Sequence, residues 1–188
     1  MRHRGDIIYP PINTTRFSSS EQIGDFYLVV SRLVAYKRID LAVETFNRNG
    51  LPLYIVGEGT DKKRLMGMAK GNIRFLGRLA DEEVTGLMSQ CRALLFPGEE
   101  DFGITPLEAM ASGAPVIAFG EGGALETVTA ETGIFFTPQT IEALMEAILK
   151  VEEGKVLFSE ERCRTRAREF SKERFQQEFS QAVSSVLK

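Results

Sequence analysis

Two glutamates eight positions apart, Glu100 and Glu108, have the residue type and spacing best suited to chemistry in this sequence. They frame the segment EDFGITPLE, in which a proline follows a glycine as at many helix starts. Carboxylates on a loop and on the helix after it can accept hydrogen bonds from the hydroxyls of a sugar or a ribose. Two alternatives stay open. Glu108 can complete a capping box with Thr105, and Glu100 can belong to a solvated acidic loop.

Two basic residues, Arg32 and Lys37, follow the first apolar segment of the chain. Lys37 lies at the start of a predicted helix, where free backbone amides attract anions. Two fixed cations at that place suit a doubly charged ligand such as a diphosphate. Because the positive end of a helix disfavours cations, a bound anion would account for the pair. The alternative is that both are solvated surface charges.

Glycine-rich loops follow two other apolar segments. VGEGTDKK contains Gly57 and Gly59 but has Lys62 where a dinucleotide fingerprint requires its third glycine, which disfavours a dehydrogenase. We expect Gly57 and Gly59 to let a ligand approach the backbone. Gly122 and Gly123 precede another predicted helix. They indicate either an open helix N-terminus for a phosphate or an ordinary turn.

The composition argues against several other functions. The one histidine, His3, is near a terminus, and the two cysteines, Cys91 and Cys163, are far apart, so a zinc site or a disulfide framework is not expected. A net charge of −3 disfavours a nucleic-acid partner. No apolar run has the length of a membrane span or follows the basic start as in a signal peptide, which predicts a cytoplasmic chain. The sequence has no DxD-type aspartate cluster, so a metal site is not expected.

Short apolar runs alternate with segments of helical periodicity over most of the 188 residues. This alternation predicts an α/β, Rossmann-like three-layer sandwich with a six-stranded parallel sheet, followed by extra C-terminal helices. Ligands of such sheets bind beyond the carboxyl ends of the strands, which places the loops described above at one edge. The predicted strands are 26–31, 51–57, 73–76, 93–96, 115–119 and 134–136, and the predicted helices are 37–48, 60–70, 82–91, 105–112, 124–130, 138–153, 159–169 and 172–187.

Capping residues predict where some of these helices begin. Asp81 is the expected N-cap of the third helix, and Thr137 with Pro138 is expected to start the sixth. Residues 1–22 are rich in proline and serine and are predicted to be a separate segment with one short strand at 6–9. Residues 23–188 are predicted to form the ligand-binding domain.

The ordered motifs resemble those of the retaining GT-B glycosyltransferases of family 4. SRLVAYKR, IVGEGTDKKRL, FLGRLADEEV, FPGEEDFGITPLEAMASGAPVIA and GGALETV occur in that family's order, over roughly residues 6–180. The opening IIYPPINTTRF is similar to the segment that leads into the C-terminal lobe of a GT-B fold. The forms FPGEEDFG and SRLVAYKR are most similar to those of bacterial mannosyltransferases of polysaccharide and O-antigen assembly.

The resemblance implies a role for each matching position. Arg32 and Lys37 match the pair that neutralises the donor diphosphate, and Glu100 matches the catalytic-site glutamate placed at the donor sugar. Glu108 matches the glutamate that binds the ribose hydroxyls, and a capping role for it stays compatible with that match. The other implied donor- or nucleotide-binding residues are Gly57, Gly77, Arg78, Leu79, Phe102, Gly103, Ile104 and Thr105.

The resemblance also implies that this chain is half of an active site. The family's N-terminal GT-B domain, which carries the acceptor site, has no counterpart here. The expected substrate is a nucleotide sugar, GDP-mannose or a UDP-sugar, whose hexose is transferred to a saccharide or lipid-linked acceptor without a cofactor. The full-length enzyme is then cytoplasmic or peripheral to a membrane. The alternative is a nucleotide-binding regulatory or assembly module; a GT-B epimerase is disfavoured because its catalytic residues are not matched. The apolar stripe of the last helix predicts a possible dimer.

Overall fold

Six parallel strands form the centre of the molecule. The computed structural model describes residues 7–186, without the side chain of residue 186. The sheet has the order β3-β2-β1-β4-β5-β6, and every neighbouring pair is parallel. The predicted fold class and strand number are confirmed. The strands are β1 Tyr27–Val30, β2 Leu53–Val56, β3 Ile73–Gly77, β4 Leu94–Phe96, β5 Val116–Phe119 and β6 Gly133–Phe136.

Helices cover both faces of the sheet, because each strand presents apolar side chains alternately to either side. Leu28 and Leu94 belong to a core with α4 and α7, whereas Val29 and Leu95 belong to a second core with α1 and α6. The helices are α1 Ile39–Asn49, α2 Lys62–Met68, α3 Asp81–Gln90, α4 Ile104–Ala111, α5 Ala124–Thr127, α6 Ile141–Glu152, α7 Glu160–Arg168 and α8 Lys172–Val186. Across residues 7–186, none of the helices combines the length and the apolar character needed to cross a membrane.

Both helix starts predicted from capping residues are wrong, by one residue at α3 and by three at α6. Asp81 is the first residue of α3 rather than its cap, because Glu83 accepts a hydrogen bond from the amide of Ala80 at 2.9 Å and defines the boundary there. At α6 the cap is Thr140, whose hydroxyl accepts from the amide of Ala143, and residues 137 and 138 lie before the helix.

The segment before β1 is packed into the domain. Ile12 and Phe17 are buried in the core on the α4 and α7 face. The Ile12 amide donates to the Phe170 carbonyl at 2.8 Å, and Ile12 forms a single parallel bridge with Ser171. The strand predicted at 6–9 is not present over residues 7–9, and position 6 lies outside the described residues. Directly after it, Pro10 and Pro11 have no backbone amides, so strand pairing could not continue beyond residue 9.

Candidate functional site

The order of the strands reverses between β1 and β4, so the loops that follow these two strands diverge and leave a crevice. A cavity of about 730 Å³ opens there. Its lining comes from the loop after β1, the loop after β4, the start of α5 and the segment before α6. The lining residues are Tyr36, Arg38, Glu99, Glu100, Asp101, Gly122, Gly123, Leu125, Glu126 and Gln139.

Lys37 and Glu100, both predicted from sequence, form an ion pair at this crevice. Lys37 lies in a 3-10 turn, Ala35–Lys37, and its ammonium group donates to the Glu100 carboxylate. Each side chain is only 17% exposed. Gly98 permits the contact, because a Cβ on it would lie 2.9 Å from the Lys37 backbone. The structure therefore joins a cation of the loop after β1 to a carboxylate of the loop after β4.

Arg32 contacts Tyr36, a residue of the loop after β1 that the sequence reasoning missed. The exposed guanidinium of Arg32 donates to the hydroxyl of Tyr36 at 3.2 Å. This hydrogen bond lowers the pKa of Tyr36, and the positive charges of Lys37 and Arg32 act in the same direction. Lys37 also lies 5.1 Å from the centre of the Tyr36 ring. Tyr36 thus connects both predicted cations; its place between them in SRLVAYKR was the available signal.

The loop containing Glu100 is held by the turn at Gly122 and Gly123. The Gly123 amide donates to the Glu100 carbonyl at 2.7 Å. A Cβ on Gly123 would lie 2.2 Å from the Cα of Phe102, so only glycine fits. Of the two alternatives for these glycines, an open N-terminus for a phosphate is therefore not available at the Gly123 amide. These glycines instead bring the Glu100 loop against α5.

The helix that carries Glu108 begins without a capping box. Gly103, with φ of +83°, is the N-cap of α4 and supplies no side-chain bond. Thr105 is consequently the second residue of the helix, and the box expected between Thr105 and Glu108 does not form. Phe102 and Ile104 flank Gly103 at this helix start. The amides of the first turn of α4 have no side-chain cap and adjoin the Glu100 loop.

Glu108 is half-buried, and burial raises the pKa of its carboxyl. The positive charge of Arg16 opposes this effect, and the negative charge of Asp81 adds to it. Arg16 lies in a 3-10 turn, Thr14–Arg16, and donates to Asp81 at 2.6 Å. Arg16 was not selected from the sequence, since its partners are 65 and 92 positions away. Glu108 is thus a partly desolvated carboxylate near one guanidinium.

The glycines after β2 serve packing within the chain. A Cβ on Gly57 would lie 1.9 Å from the carbonyl oxygen of Ser31, and one on Gly59 would lie 2.1 Å from that of Leu33. The side toward which we expected a ligand to approach is therefore filled by the loop after β1. The Gly57 amide donates to the carbonyl of Gly77 at 2.7 Å. This packing fixes the base of the loop that carries both predicted cations.

The loop after β3 follows an edge strand of the sheet, which β2 separates from β1. Gly77 ends β3 with φ of +71°, Arg78 is exposed and Leu79 packs against the core. Glu58 and Lys62, paired at 2.6 Å, lie over Gly77. Two strands, β2 and β1, separate β3 from β4 in the sheet. The loop after β3 nevertheless leads to Asp81 at the start of α3, whose negative charge acts on the predicted ribose ligand Glu108.

These features define a Rossmann-like domain with a carboxylate-lined crevice at its switch point, bordered by the Lys37–Glu100 pair. Doubly wound domains of this class bind nucleotides at that point. Residues 13–170 match the family described as glycosyl transferases group 1. The match covers most of the chain, and the protein belongs to this family.

Curated relatives support the same family assignment. The O-antigen chain mannosyltransferase C of Escherichia coli is 31% identical over 170 residues, which are 85% of this chain and 44% of that protein. The D-rhamnosyltransferase WbpZ of Pseudomonas aeruginosa is 30% identical over 151 residues, 74% of this chain and 40% of that protein. The chain thus spans a little under half the length of these relatives.

Solved structures share the fold. Sucrose-phosphate synthase from Thermosynechococcus elongatus superposes with a TM-score of 0.85 at 24% identity, covering 96% of this chain and 52% of that one. HepE from Anabaena in complex with UDP superposes with a TM-score of 0.84 at 21% identity, covering 96% and 57%. At these identities the comparison establishes the fold alone.

Proposed function

We propose that this chain is the donor-binding half of a retaining glycosyltransferase that takes a hexose from a nucleotide sugar. The observation that carries the proposal is the Lys37–Glu100 pair at the switch point. A cation suited to a diphosphate and a carboxylate suited to sugar hydroxyls lie in contact. A nucleotide sugar presents its diphosphate and its sugar to adjoining groups in the same way, so one ligand matches both side chains.

The charges of the site suit departure of the nucleotide. In the transfer, the bond between the sugar C1 and the diphosphate oxygen breaks, and its electron pair stays on the diphosphate. The acceptor oxygen bonds to C1 and its proton passes to the released diphosphate. Arg32, Lys37 and the uncapped amides of α4 are placed to stabilise that negative charge, while Glu100 holds the sugar hydroxyls. Glu108 binds the ribose in this scheme, and the loop at Gly77 contacts the base.

The names of the relatives favour mannose as the sugar. One relative, from Corynebacterium glutamicum, is a GDP-mannose-dependent mannosyltransferase, 32% identical over 64% of this chain. The HepE structure is a complex with UDP, so we keep GDP-mannose and UDP-sugars as the two donors to test. In this proposal the acceptor, a saccharide or a lipid-linked sugar, binds to a separate N-terminal GT-B domain. With a lipid-linked acceptor, the complete enzyme works at a membrane surface. The isolated chain is expected to bind its donor without transferring it.

A thermal-shift panel tests donor binding. GDP, UDP, ADP and their sugar conjugates are each added to the chain at a concentration series. The matching nucleotide stabilises the folded state by about 2.7 kcal/mol when its concentration is 100 times its dissociation constant. We expect GDP or UDP to raise the melting temperature and ADP to raise it least. No response to any nucleotide would contradict the proposal.

The last helix gives a separate proposal about assembly. Phe179 and Val183 are 53% and 42% exposed on α8, and Phe175 stacks on Phe179 with ring centres 5.8 Å apart. We expect this face to pair with a second copy of the isolated chain, because association removes apolar surface from water. Light scattering should show the mass rising with concentration, and Phe179→Ser should abolish the rise. A constant monomer mass at high concentration would exclude the dimer.

A further inference from the structure

Three aromatic rings from distant parts of the chain pack together beside the Glu100 loop. Tyr9 precedes the domain core in sequence, Phe102 belongs to the Glu100 loop, and Phe170 lies between α7 and α8. The Tyr9 and Phe102 rings are stacked with centres 5.5 Å apart and planes 18° apart. Phe170 lies 5.6 Å from Tyr9 and 5.8 Å from Phe102. We call these three residues the aromatic cluster.

The cluster is fixed to the body of the domain from several sides. Arg174 lies over both Tyr9 and Phe170, and its guanidinium makes two hydrogen bonds to the Glu178 carboxylate, at 2.7 and 2.8 Å. The Ile12 amide donates to the Phe170 carbonyl. Tyr9 and Glu126 line the same small cavity beside the cluster. Glu126 also lines the crevice, so Tyr9 adjoins the site both through Phe102 and through Glu126.

The Glu100 loop has one anchor on each side of Asp101. On one side, the carbonyl of Glu100 accepts from the Gly123 amide at 2.7 Å. On the other, the ring of Phe102 sits in the aromatic cluster, directly before the N-cap of α4. Asp101 between them is exposed. The direction of the Glu100 side chain therefore depends on both anchors, and one of them rests on Tyr9.

We propose that Tyr9 is a positioning residue for Glu100 and thereby sets how strongly the chain binds the sugar of its donor. Tyr9 itself does not line the crevice. Its ring holds Phe102, and Phe102 holds the loop that presents the carboxylate. This inference rests on the proposed function, in which Glu100 contacts the sugar and Lys37 contacts the diphosphate.

A difference between two ligands isolates this effect. A nucleoside diphosphate needs Arg32, Lys37 and the α4 amides, whereas the nucleotide sugar also needs Glu100. Loss of the Tyr9 ring should therefore weaken binding of the nucleotide sugar more than binding of the diphosphate. A merely structural role for Tyr9 would weaken both alike, because both would require the same refolding of the chain.

Calorimetry on Tyr9→Ala, Tyr9→Phe and Leu157→Ala provides the test, with GDP, GDP-mannose, UDP and UDP-glucose as ligands. For Tyr9→Ala we expect about a tenfold loss of affinity for the nucleotide sugar and less than a twofold loss for the diphosphate. Tyr9→Phe keeps the ring and should restore the ratio of the two affinities. Leu157→Ala removes an exposed apolar side chain elsewhere and should leave the ratio as in the parent chain. An unchanged ratio in Tyr9→Ala would overturn the proposal.

Hydrogen exchange in the ligand-free chain gives a readout that does not require nucleotide binding. In Tyr9→Ala, amides of residues 99–103 should exchange about tenfold faster, while those of β5 keep their rates. Equal rates at 99–103 in the variant and the parent would overturn the positioning role. If the parent chain binds no nucleotide, the proposed function fails, and the exchange rates still decide whether Tyr9 holds the loop.

Discussion

Lys37→Ala is expected to reduce the affinity of the chain for nucleoside diphosphates about 10- to 100-fold. The ammonium group is a compact positive charge at the switch point, and a hydrogen bond to a charged group contributes about 1.5 to 3 kcal/mol. At about 1.4 kcal/mol per tenfold change, this range gives the stated loss. Calorimetry with GDP and UDP measures it. Because the diphosphate is common to both, the same fold-loss is expected for whichever nucleotide binds.

The same substitution is expected to destabilise the ligand-free chain. It leaves the Glu100 carboxylate, which is only 17% exposed, without the cation that compensates for its desolvation. Removing one partner of a fully buried ion pair costs about 3 to 5 kcal/mol, and an exposed pair contributes about 0 to 1 kcal/mol. This partly exposed pair lies between those limits, so we expect a loss of about 1 to 3 kcal/mol in urea unfolding.

Two further variants separate the roles of the pair. Lys155→Ala removes an exposed lysine paired with Glu153 at 2.6 Å and should change neither stability nor nucleotide binding measurably. Glu100→Gln frees Lys37 from its carboxylate partner. The variant should therefore bind the diphosphate at least as tightly as the parent chain does. Its affinity for the nucleotide sugar should be no higher than its affinity for the diphosphate. Unchanged nucleotide affinity in Lys37→Ala would remove Lys37 from the site.

The strands could be predicted because their signal is local. Runs such as FYLVVS are apolar at successive positions, as expected of a strand buried on both faces. The helix starts were less predictable, since short-range alternatives compete. At α4 the pair Thr105 and Glu108 has the spacing of a capping box, yet Gly103 with its positive φ begins the helix one residue earlier. A side chain at that position would lie 2.8 Å from the Phe96 ring, a contact that the sequence does not reveal.

The candidate site could be predicted in its residues but not in its contacts. Arg32, Lys37 and Glu100 were identifiable from their types and from the loops they occupy. Lys37 pairs with Glu100 because β1 and β4 are neighbours in the sheet. The two residues are 63 positions apart in sequence, and only the strand order brings them together. The packing of Gly57 and Gly59 against the loop after β1 has the same origin. The position of Tyr9 against Phe102 likewise depends on how the entering segment crosses the end of α7.

Glu108→Gln is expected to lower nucleotide affinity about tenfold at pH 7 and, at the same time, to stabilise the ligand-free chain. The affinity falls because the ribose hydroxyls lose a charged acceptor, an effect of about 1.5 kcal/mol. Stability increases because the parent chain keeps a partly desolvated carboxylate ionised at that pH. Calorimetry and urea unfolding measure the two quantities on the same samples.

The pH dependence of stability follows from the direction of the shift. Burial raises the pKa of Glu108 in the folded chain, so the folded state holds this proton more tightly than the unfolded state does. The favourable contribution is therefore complete below the ordinary pKa of a glutamate, about 4.3, and is lost as the pH rises through the raised value. The stability gained by Glu108→Gln should accordingly be largest at pH 7 and disappear near pH 4. Glu142→Gln should have the opposite effect, a loss of stability at pH 7 that disappears as the pH falls through the pKa of Glu142. The reason is that its backbone amide and Arg48 lower the pKa of Glu142.

A deoxyribose ligand tests whether Glu108 acts on the ribose. The parent chain should bind the 2′-deoxy form of its nucleoside diphosphate more weakly than the ribo form. Glu108→Gln, whose neutral amide oxygen is a weaker acceptor, should show a smaller preference. The preference of the parent for the ribo form should also decline as the pH falls through the raised pKa, since the protonated carboxyl accepts less strongly. A preference of the same size in Glu108→Gln and the parent would assign ribose binding to another group and leave Glu108 with a structural role in α4.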